Sequence, residues 1–317
     1  MHRQVGQVSF AESLVRGGSN RRLERIEGLI EWSAVAALLG DVYASAKGRP
    51  SYPPLVLVKV LLLQSWYGLG DPAMEEALGD RLSFRRFVGL GLDEAVPDHS
   101  TISRFRSLLA KRGLAEALFA EVGRQLDAKR VTVKTGTLID ATVVEAAAAE
   151  PPRQKGGGRS MADPDAAWLK RPDGSACFGY KLHAAVDQGS GIVRQARVTP
   201  ANVADVELGH HLVVGDEKAV YADKAYVGPR LRERLRLAGI RDRIQHRRWK
   251  DRPLSSRQLR RNLLIGRIRG RIEGVFGALK RSYGLARMRY MGLARNTAAT
   301  LMTLIAWNLA RAAQRAT

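Results

Sequence analysis

The chain has 317 residues, of which 45% are hydrophobic, 26% charged and 6% aromatic. This composition is typical of a globular protein and excludes a collagen-like repeat, a low-complexity disordered chain and a disulfide-stapled miniprotein. Lys and Arg number 52 against 31 Asp and Glu, so the net charge is +21. We therefore expect a polyanionic partner, with nucleic acid favoured over an anionic membrane surface.

The cysteine count and the hydropathy pattern indicate the cellular compartment of the protein. Cys177 is the single cysteine, which permits no internal disulfide and fits a reducing environment. The two most hydrophobic stretches, 55–63 and 301–309, are much shorter than the roughly 20 residues that a membrane-spanning helix needs. The N-terminal charges are not followed by the apolar run of a signal peptide. We expect a soluble, cytoplasmic protein without membrane contact.

Residues 1–128 are predicted to form an all-helical domain. An amphipathic pattern begins at Leu23 and ends near Gly40. Further helix starts are expected at Pro53-Pro54, at Asp71-Pro72, near Ser83 and at Pro97-Asp98.

From residue 129 the pattern becomes that of a mixed α/β domain. Segments 131–133 and 137–144 are β-rich, and a loop rich in Pro and Gly follows over 145–175. Gln188-Gly189-Ser190-Gly191 is a turn signal between two apolar runs, which predicts a hairpin over 178–198. The remaining predictions are helices at 204–213 and 229–237, strands at 219–222 and 243–245, and closing helices at 258–282 and 296–313. This order favours a central mixed sheet flanked by helices over residues 129–317.

The positive charge is concentrated late in the chain. Residues 241–295 contain 17 Lys and Arg but only 3 Asp and Glu, a local net charge of +14. A surface that only aids solubility would mix the two signs, so we expect this segment to face phosphates.

Three acidic residues occupy positions where acids are unexpected. Asp140 interrupts an apolar strand, where an unpaired carboxylate would cost several kcal/mol. Asp223 follows the short apolar strand 219–222. Glu273 is the only acid after Arg252, and on a helix it would share a face with Arg269 and Lys280.

Each acid also has a purely structural interpretation. Asp140 could be a hydrogen-bonded residue at a strand end, and Asp223 a turn or cap residue. Glu273 could form an ordinary exposed pair with Arg269. The histidines lack metal-ligand spacing, which argues against a zinc site.

Taken in order, the motifs resemble a bacterial insertion-sequence transposase of the DDE class, in the group named after insertion sequence five. The N-terminal half carries the resemblance in Gly48-Arg49-Pro50, in 61–69, in 83–87 and in 98–106. The second half carries it in 138–142, in Phe178-Gly179-Tyr180-Lys181-Leu182-His183, in 222–226 and in the final signature Arg269, Glu273 and Lys280. Gly266 departs from the family pattern, which has Tyr at that signature position.

The resemblance implies an RNase H-like catalytic domain with an insertion sequence four-like pattern. Asp140, Asp223 and Glu273 would be the catalytic residues and would bind two Mg²⁺ ions, with Mn²⁺ tolerated. In the RNase H-like fold the first and fourth strands are neighbours, which would bring Asp140 and Asp223 together. The implied reaction is cleavage and strand transfer at terminal inverted repeats, by a homodimer on paired double-stranded DNA ends in a bacterial nucleoid. No small-molecule substrate is implied.

Basic residues are the candidates for DNA contact. Arg269, Lys280 and, beside Asp223, Lys224 would hold phosphates as fixed charges. Arg104 and Arg106 lie on a predicted helix that could be the recognition helix of a helix-turn-helix-like unit, or an ordinary amphipathic helix.

Three other functions would account for part of the pattern. A transposase-derived repressor needs the charge but not the acids, and a host metal-dependent nuclease would cut DNA without joining it. A basic ribosome-associated protein would have no reason to place three acids among its cations.

Overall fold

The computed structural model describes residues 20–40, 42–43, 51–151, 160–170 and 174–315. The chain forms two compact units, one of Met1–Lys129 with Ala298–Thr317 and one of Arg130–Thr297. The sequence placed residues 298–317 in the second domain. In the structure they group with the helical unit, where the Ala306 carbonyl accepts a hydrogen bond from the Trp66 indole (2.8 Å).

The described N-terminal part of the first unit is helical, as predicted. The motif Gly48-Arg49-Pro50 lies outside the described residues. The helices are α1 (Arg21–Glu27), α2 (Trp32–Ala37), α3 (Pro54–Tyr67), α4 (Asp71–Asp80), α5 (Leu82–Val88), α6 (His99–Arg112) and α7 (Leu114–Ala128).

Local signals explain where two of these helices begin and end. α3 begins at Pro54, directly after Pro53, and is ended by Gly68, whose φ of 67° is readily adopted by glycine. α6 begins after Asp98, whose carboxylate accepts a hydrogen bond from the Thr101 N–H (2.7 Å). The helix start predicted at Pro97-Asp98 is confirmed.

The surroundings of α6 differ from a helix-turn-helix unit. Residues 89–98 connect α5 to α6, whereas the motif uses a turn of about three to four residues. α6 contacts α4 instead, where Arg106 forms an ion pair with Asp71. The predicted helix is therefore present, but α5 does not meet it through a tight turn, and its role in DNA recognition stays a prediction.

The second unit contains a six-stranded mixed sheet. Its strands are β1 (Thr137–Glu145), β2 (Ala167–Lys170), β3 (Ala176–Asp187), β4 (Val193–Pro200), β5 (Ala219–Ala222) and β6 (Arg241–Ile244). The strand order is β2-β3-β1-β5-β6, and β4 also pairs with β3. β3 is antiparallel to β1, β2 and β4, whereas β1, β5 and β6 are mutually parallel.

The helices of this part are α8 (Asp205–Leu208), α9 (Pro229–Leu237), α10 (Ser256–Arg269), α11 (Arg271–Ser282) and α12 (Leu293–Arg315), the last of which continues into the first unit. Short 3-10 helices cover Gly209–Leu212 and Lys224–Tyr226. A buried cluster that includes Ile139, Val220 and Leu231 joins the sheet to α9. No helix in the described part of the chain is long and apolar enough to cross a bilayer.

Several predicted elements are confirmed and others are corrected. The β3–β4 hairpin, β5 and α9 lie where the sequence predicted them. Residues 131–133 form no strand, and β2 lies within the predicted loop 145–175, of which residues 152–159 and 171–173 are outside the described residues. The predicted helix 258–282 is divided at Gly270, where α10 ends and α11 begins.

Candidate active site

Two of the three predicted carboxylates lie on neighbouring parallel strands. β1 and β5 pair with Leu138 opposite Tyr221, and this register, if continued for two residues, would set Asp140 opposite Asp223. β5 has ended by then, and Asp223 Oδ1 accepts a hydrogen bond from the Ala225 N–H (2.8 Å). Asp223 is thus also the cap residue that its structural interpretation predicted.

Asp140 is the more strongly perturbed of the two. Its side chain is 19% exposed, and its Oδ1 accepts a hydrogen bond from the Ala141 N–H (2.9 Å). Burial raises the pKa of Asp140 to about 6, against the opposing effects of the Arg269 guanidinium and the Ala141 hydrogen bond. The negative charges of Asp223 and Asp205 raise this pKa further.

Arg269 links Asp140 to the third predicted carboxylate. Its Nη1 forms a short ion pair with Asp140 Oδ2, and its Nη2 donates to Glu273 Oε1 (3.3 Å). Glu273 lies in the first turn of α11, and its side chain is 65% exposed. Arg269 therefore connects two of the three predicted acids, Asp140 and Glu273, through its guanidinium.

The carboxylates fit a divalent cation only in part. In the described ranges, no three His, Cys, Asp or Glu side chains are grouped so that they could hold one metal ion. Asp140 and Asp223 nevertheless form a pair of oxygen donors whose like charges repel, which a cation would relieve. Glu273 is not grouped with them in the described residues and is bound to Arg269 instead (3.3 Å).

A second polar cluster was not predicted as a site. Lys181 of β3 is buried and donates to Asp205 Oδ1 (2.9 Å), at the start of α8. His183, fully buried on the same strand, has its Nε2 3.0 Å from the Thr199 hydroxyl. Burial lowers the pKa of His183 to about 4, so the ring is neutral at physiological pH.

The sequence contained a signal for this cluster. Lys181 and His183 alternate within an otherwise apolar run, as they would if both pointed to one face of a strand. Asp205 lay in a predicted helix and carried no such signal. Its link to Lys181 spans 24 residues of chain and required the tertiary structure.

The lysines of the second unit that were predicted to contact DNA differ in their surroundings. Lys224 is exposed beside Asp223. Lys280 is partly buried and donates to the Val143 carbonyl (2.9 Å), which ties α11 to β1. Its role is therefore at least partly structural.

The two arginines of α6 also differ. Arg104 is exposed and lies along its own helix, with its Nε donating to the Ser100 carbonyl (3.2 Å). Arg106 is only 12% exposed and donates to both carboxylate oxygens of Asp71 and to Gln64. Arg106 therefore holds α6 against α4, and its contact with DNA stays a prediction.

The basic segment 241–295 has both solvent-facing and structural cations. Arg261 donates to the Ile244 carbonyl (2.7 Å), and Arg287 donates to the Ala146 carbonyl (2.9 Å). Trp249, by contrast, is 59% exposed, and the Arg247 guanidinium lies 5.1 Å from the centre of its ring. Only part of the segment's charge is therefore available to a polyanion.

Comparison with known protein families decides the assignment. Residues 132–309, more than half of the chain, match the family described as a transposase DDE domain. The chain belongs to the DDE transposase family. Residues 11–108 of this transposase match a second family, described as a transposase domain of the DUF772 type. No solved structure matches the chain.

The family assignment gives the site its coarse chemical meaning. Members of the DDE transposase family act on DNA and generally use divalent metal ions, and both matched families are transposase families. The mixed sheet with flanking helices is consistent with such a catalytic domain. The N-terminal helical region corresponds to the other matched family.

Proposed function

We propose that this chain is the transposase of a bacterial insertion sequence, of the group named after insertion sequence five. It would bind the terminal inverted repeats of its element and catalyse metal-dependent cleavage and strand transfer. The observation that carries the proposal is the parallel pairing of β1 with β5, whose continued register would set Asp140 opposite Asp223, together with the ion pairs of Arg269 to Asp140 and Glu273.

The sheet topology supports an RNase H-like catalytic domain. β4, β3 and β1 are successive antiparallel neighbours, and β5 and β6 then extend the sheet parallel to β1. In this order β5 pairs with the first residues of β1, Thr137 and Leu138. The two aspartates would thus meet at a strand end, where sheet proteins commonly bind ligands.

The reaction requires exchange of phosphoester bonds. In the first step, a water oxygen bonds to phosphorus at the element's end while the bond from phosphorus to the 3′ oxygen breaks, and that oxygen leaves as a hydroxyl. In the second step, the freed 3′ hydroxyl attacks a phosphodiester of target DNA and displaces another 3′ oxygen. One phosphoester bond replaces another in this step, so no external energy source is needed.

Acidic and basic residues would have different roles in this reaction. Asp140 and Asp223 would hold Mg²⁺ or Mn²⁺, and Glu273 would join them when Arg269 turns to a DNA phosphate. Two such ions, when bound, would supply positive charge at the reacting phosphate and lower the pKa of the attacking water. Lys224, exposed beside Asp223, would hold a flanking phosphate.

DNA binding would extend beyond the acidic residues. Exposed Arg104 on α6 and the solvent-facing cations of residues 241–295 would contact the duplex, mostly through its backbone. Because both ends of an element are processed together, we expect a homodimer on paired ends. Light scattering of the protein with and without terminal DNA measures that state.

The test is a cleavage assay on a labelled duplex that carries the element's terminal repeat, with and without Mg²⁺. Wild type is compared with Asp223→Asn, which keeps the side-chain shape but removes a ligand charge. Asp251→Asn is the matched control, because it also removes one negative charge but at an exposed position of the basic segment. Band shifts measure DNA binding by all three proteins.

The proposal predicts Mg²⁺-dependent nicking by wild type and Asp251→Asn. Asp223→Asn should lose nicking while still shifting the duplex. Sequence-specific binding without cleavage by any of the three would instead indicate a repressor derived from a transposase. Cleavage that Asp223→Asn retains would overturn the proposed site.

A further inference from the structure

A buried ion pair connects β3 to α8 in the second unit. Lys181 of β3 is only 7% exposed, and its Nζ donates a hydrogen bond to Oδ1 of Asp205 (2.9 Å), the first residue of α8. The same Nζ donates to the Val203 carbonyl (2.8 Å), two residues earlier in the chain. Lys181 therefore binds both a side chain and the backbone of the segment that leads into α8.

α8 packs closely against the chain that follows β5. It contacts the 3-10 helix Lys224–Tyr226. A Cβ added to Gly228 would lie only 2.5 Å from Cγ2 of Val206 in α8, and one added to Gly209, directly after α8, would lie 3.1 Å from Cδ1 of Tyr226. Because the two segments approach this closely, a shift of α8 would also move the 3-10 helix.

That 3-10 helix sets the direction of the Asp223 carboxylate. Oδ1 of Asp223 accepts a hydrogen bond from the Ala225 N–H (2.8 Å), and the Asp223 carbonyl accepts one from the Tyr226 N–H (3.3 Å). Both donors belong to the helix that α8 contacts. The position of the carboxylate therefore depends on α8, and through α8 on Lys181.

The ladder between β1 and β5 ends before it reaches the two candidate aspartates. Its last pair is Leu138 with Tyr221, and both aspartates lie two residues farther along their chains. β3, by contrast, pairs with β1 over the whole length of β1, with Lys181 opposite Val143. Lys181 therefore connects the β1–β3 pair to the turn that begins at Asp223, at a place where the β1–β5 ladder does not.

Stability alone does not explain this ion pair. Two charges that leave water lose their hydration, so a buried pair is often no more stabilising than two well-packed apolar side chains. The neighbours of Lys181 on β3, Tyr180 and Leu182, are fully buried, so an apolar residue would suit the position. Charge-assisted hydrogen bonds are directional, however, and fix α8 more narrowly than an apolar contact could.

We propose that Lys181 is a positioning residue that holds Asp223 in place through Asp205 and α8. The inference rests on the proposed function, because that function makes Asp223 a metal ligand. Lys181 itself would contact neither the metal nor DNA. Replacing residues that orient metal ligands typically lowers metal affinity by about 10-fold to 100-fold, and we expect the lower value because Lys181 acts through α8.

Two variants test this role, Lys181→Met and the double variant Lys181→Met/Asp205→Asn. The double variant removes one charge of each sign, so its net charge equals that of wild type. The matched control is Lys59→Met/Glu27→Gln, which removes another ion pair with a buried lysine (2.7 Å), in the first unit.

Hydrogen exchange of backbone amides, followed by NMR without metal or DNA, measures how firmly the turn is held. In both Lys181 variants the Ala225 and Tyr226 amides, which bind Asp223, should exchange about 10-fold faster than in wild type. The amides of β1 should keep their rates in these variants. The control should leave all of these rates unchanged.

Mn²⁺ binding, measured by electron paramagnetic resonance of the free ion at a temperature where every variant is folded, tests the consequence for the site. Loss of the positive charge of Lys181 would by itself strengthen cation binding, so simple electrostatics and positioning predict opposite signs. Positioning predicts that the Mn²⁺ dissociation constant rises about 10-fold in both Lys181 variants. The control should bind Mn²⁺ as wild type does, and tighter binding by Lys181→Met would overturn the inference.

Thermal unfolding separates this role from a structural one. Lys181→Met leaves Asp205 without its cation and should lower the unfolding temperature, whereas the double variant should regain most of that loss. The double variant should nevertheless keep the fast exchange and the weak Mn²⁺ binding. Recovery of Mn²⁺ affinity together with stability would mean that the pair serves folding alone and would overturn the inference.

The outcomes distinguish this inference from the proposed function. Unchanged exchange at Ala225 and Tyr226, with Mn²⁺ binding still lost in Asp223→Asn, would overturn the role of Lys181 alone. Absence of Mn²⁺ binding by wild type would overturn the proposed metal site, and with it the role of Lys181 in positioning a ligand. Faster exchange together with weaker Mn²⁺ binding in both Lys181 variants supports both.

Discussion

Replacing Asp140 with asparagine should stabilise the metal-free protein at neutral pH. Burial raises the pKa of this carboxyl from its ordinary 3.8 to about 6. Between those two values the folded protein keeps a proton that the unfolded chain has released, so the free energy of unfolding falls as pH rises. Above about pH 7 the full cost of the buried charge is present.

The size of the effect follows from the same values. A rise in pKa from 3.8 to about 6 corresponds to about 3 kcal/mol of stability lost in the charged form. Asparagine carries no charge and can still accept the hydrogen bond from the Ala141 N–H. Asp140→Asn should therefore gain up to about 3 kcal/mol over wild type above pH 7, and almost nothing near pH 4.

Urea unfolding in EDTA across this pH range measures the difference. Asp98→Asn is a control of opposite sign, because hydrogen bonds from Ser100 and Thr101 lower the pKa of Asp98 to about 2. Wild type should be the more stable protein of that pair above about pH 4, by a small amount because Asp98 is exposed. A difference between wild type and Asp140→Asn that does not change with pH, or a less stable variant at high pH, would refute the argument.

Three further predictions concern ion pairs. Arg269→Gln removes the guanidinium that binds both Asp140 and Glu273, so the affinity of the protein for Mn²⁺ without DNA should rise several-fold. Calorimetry measures this affinity, and an unchanged or lower value would contradict the placement of Arg269. Glu27→Gln leaves buried Lys59 without its charged partner (2.7 Å) and should cost about 1–3 kcal/mol in thermal unfolding, whereas an additional Lys59→Met should restore most of that loss. Arg106→Ala should lower the free energy of unfolding by about 1–3 kcal/mol, because it removes the ion pair with Asp71. Arg104→Ala should leave stability unchanged and reduce the salt dependence of DNA binding. Equal behaviour of the two variants would contradict their different surroundings.

Local signals in the sequence were enough for many elements of this protein. The four turn residues 188–191 between two apolar runs predicted the β3–β4 hairpin, and Pro229 at the first position of α9 predicted its start. Asp140 could be singled out because a charge within an apolar strand is costly wherever that strand packs. Such features depend on neighbours in sequence, so composition and spacing reveal them.

Other features depend on residues that meet only when the chain folds. Arg269 reaches Asp140 across 129 positions, and Arg106 reaches Asp71 across 35. β2 has no apolar alternation of its own and forms against the long strand β3. Fully buried Tyr226 is a further example, because the lack of a hydrogen-bond partner for its hydroxyl among the described residues can be recognised only after the chain has folded. Sequence identified the charged residues, and the tertiary structure decided which charges are paired, which face solvent, and which remain available to act on DNA.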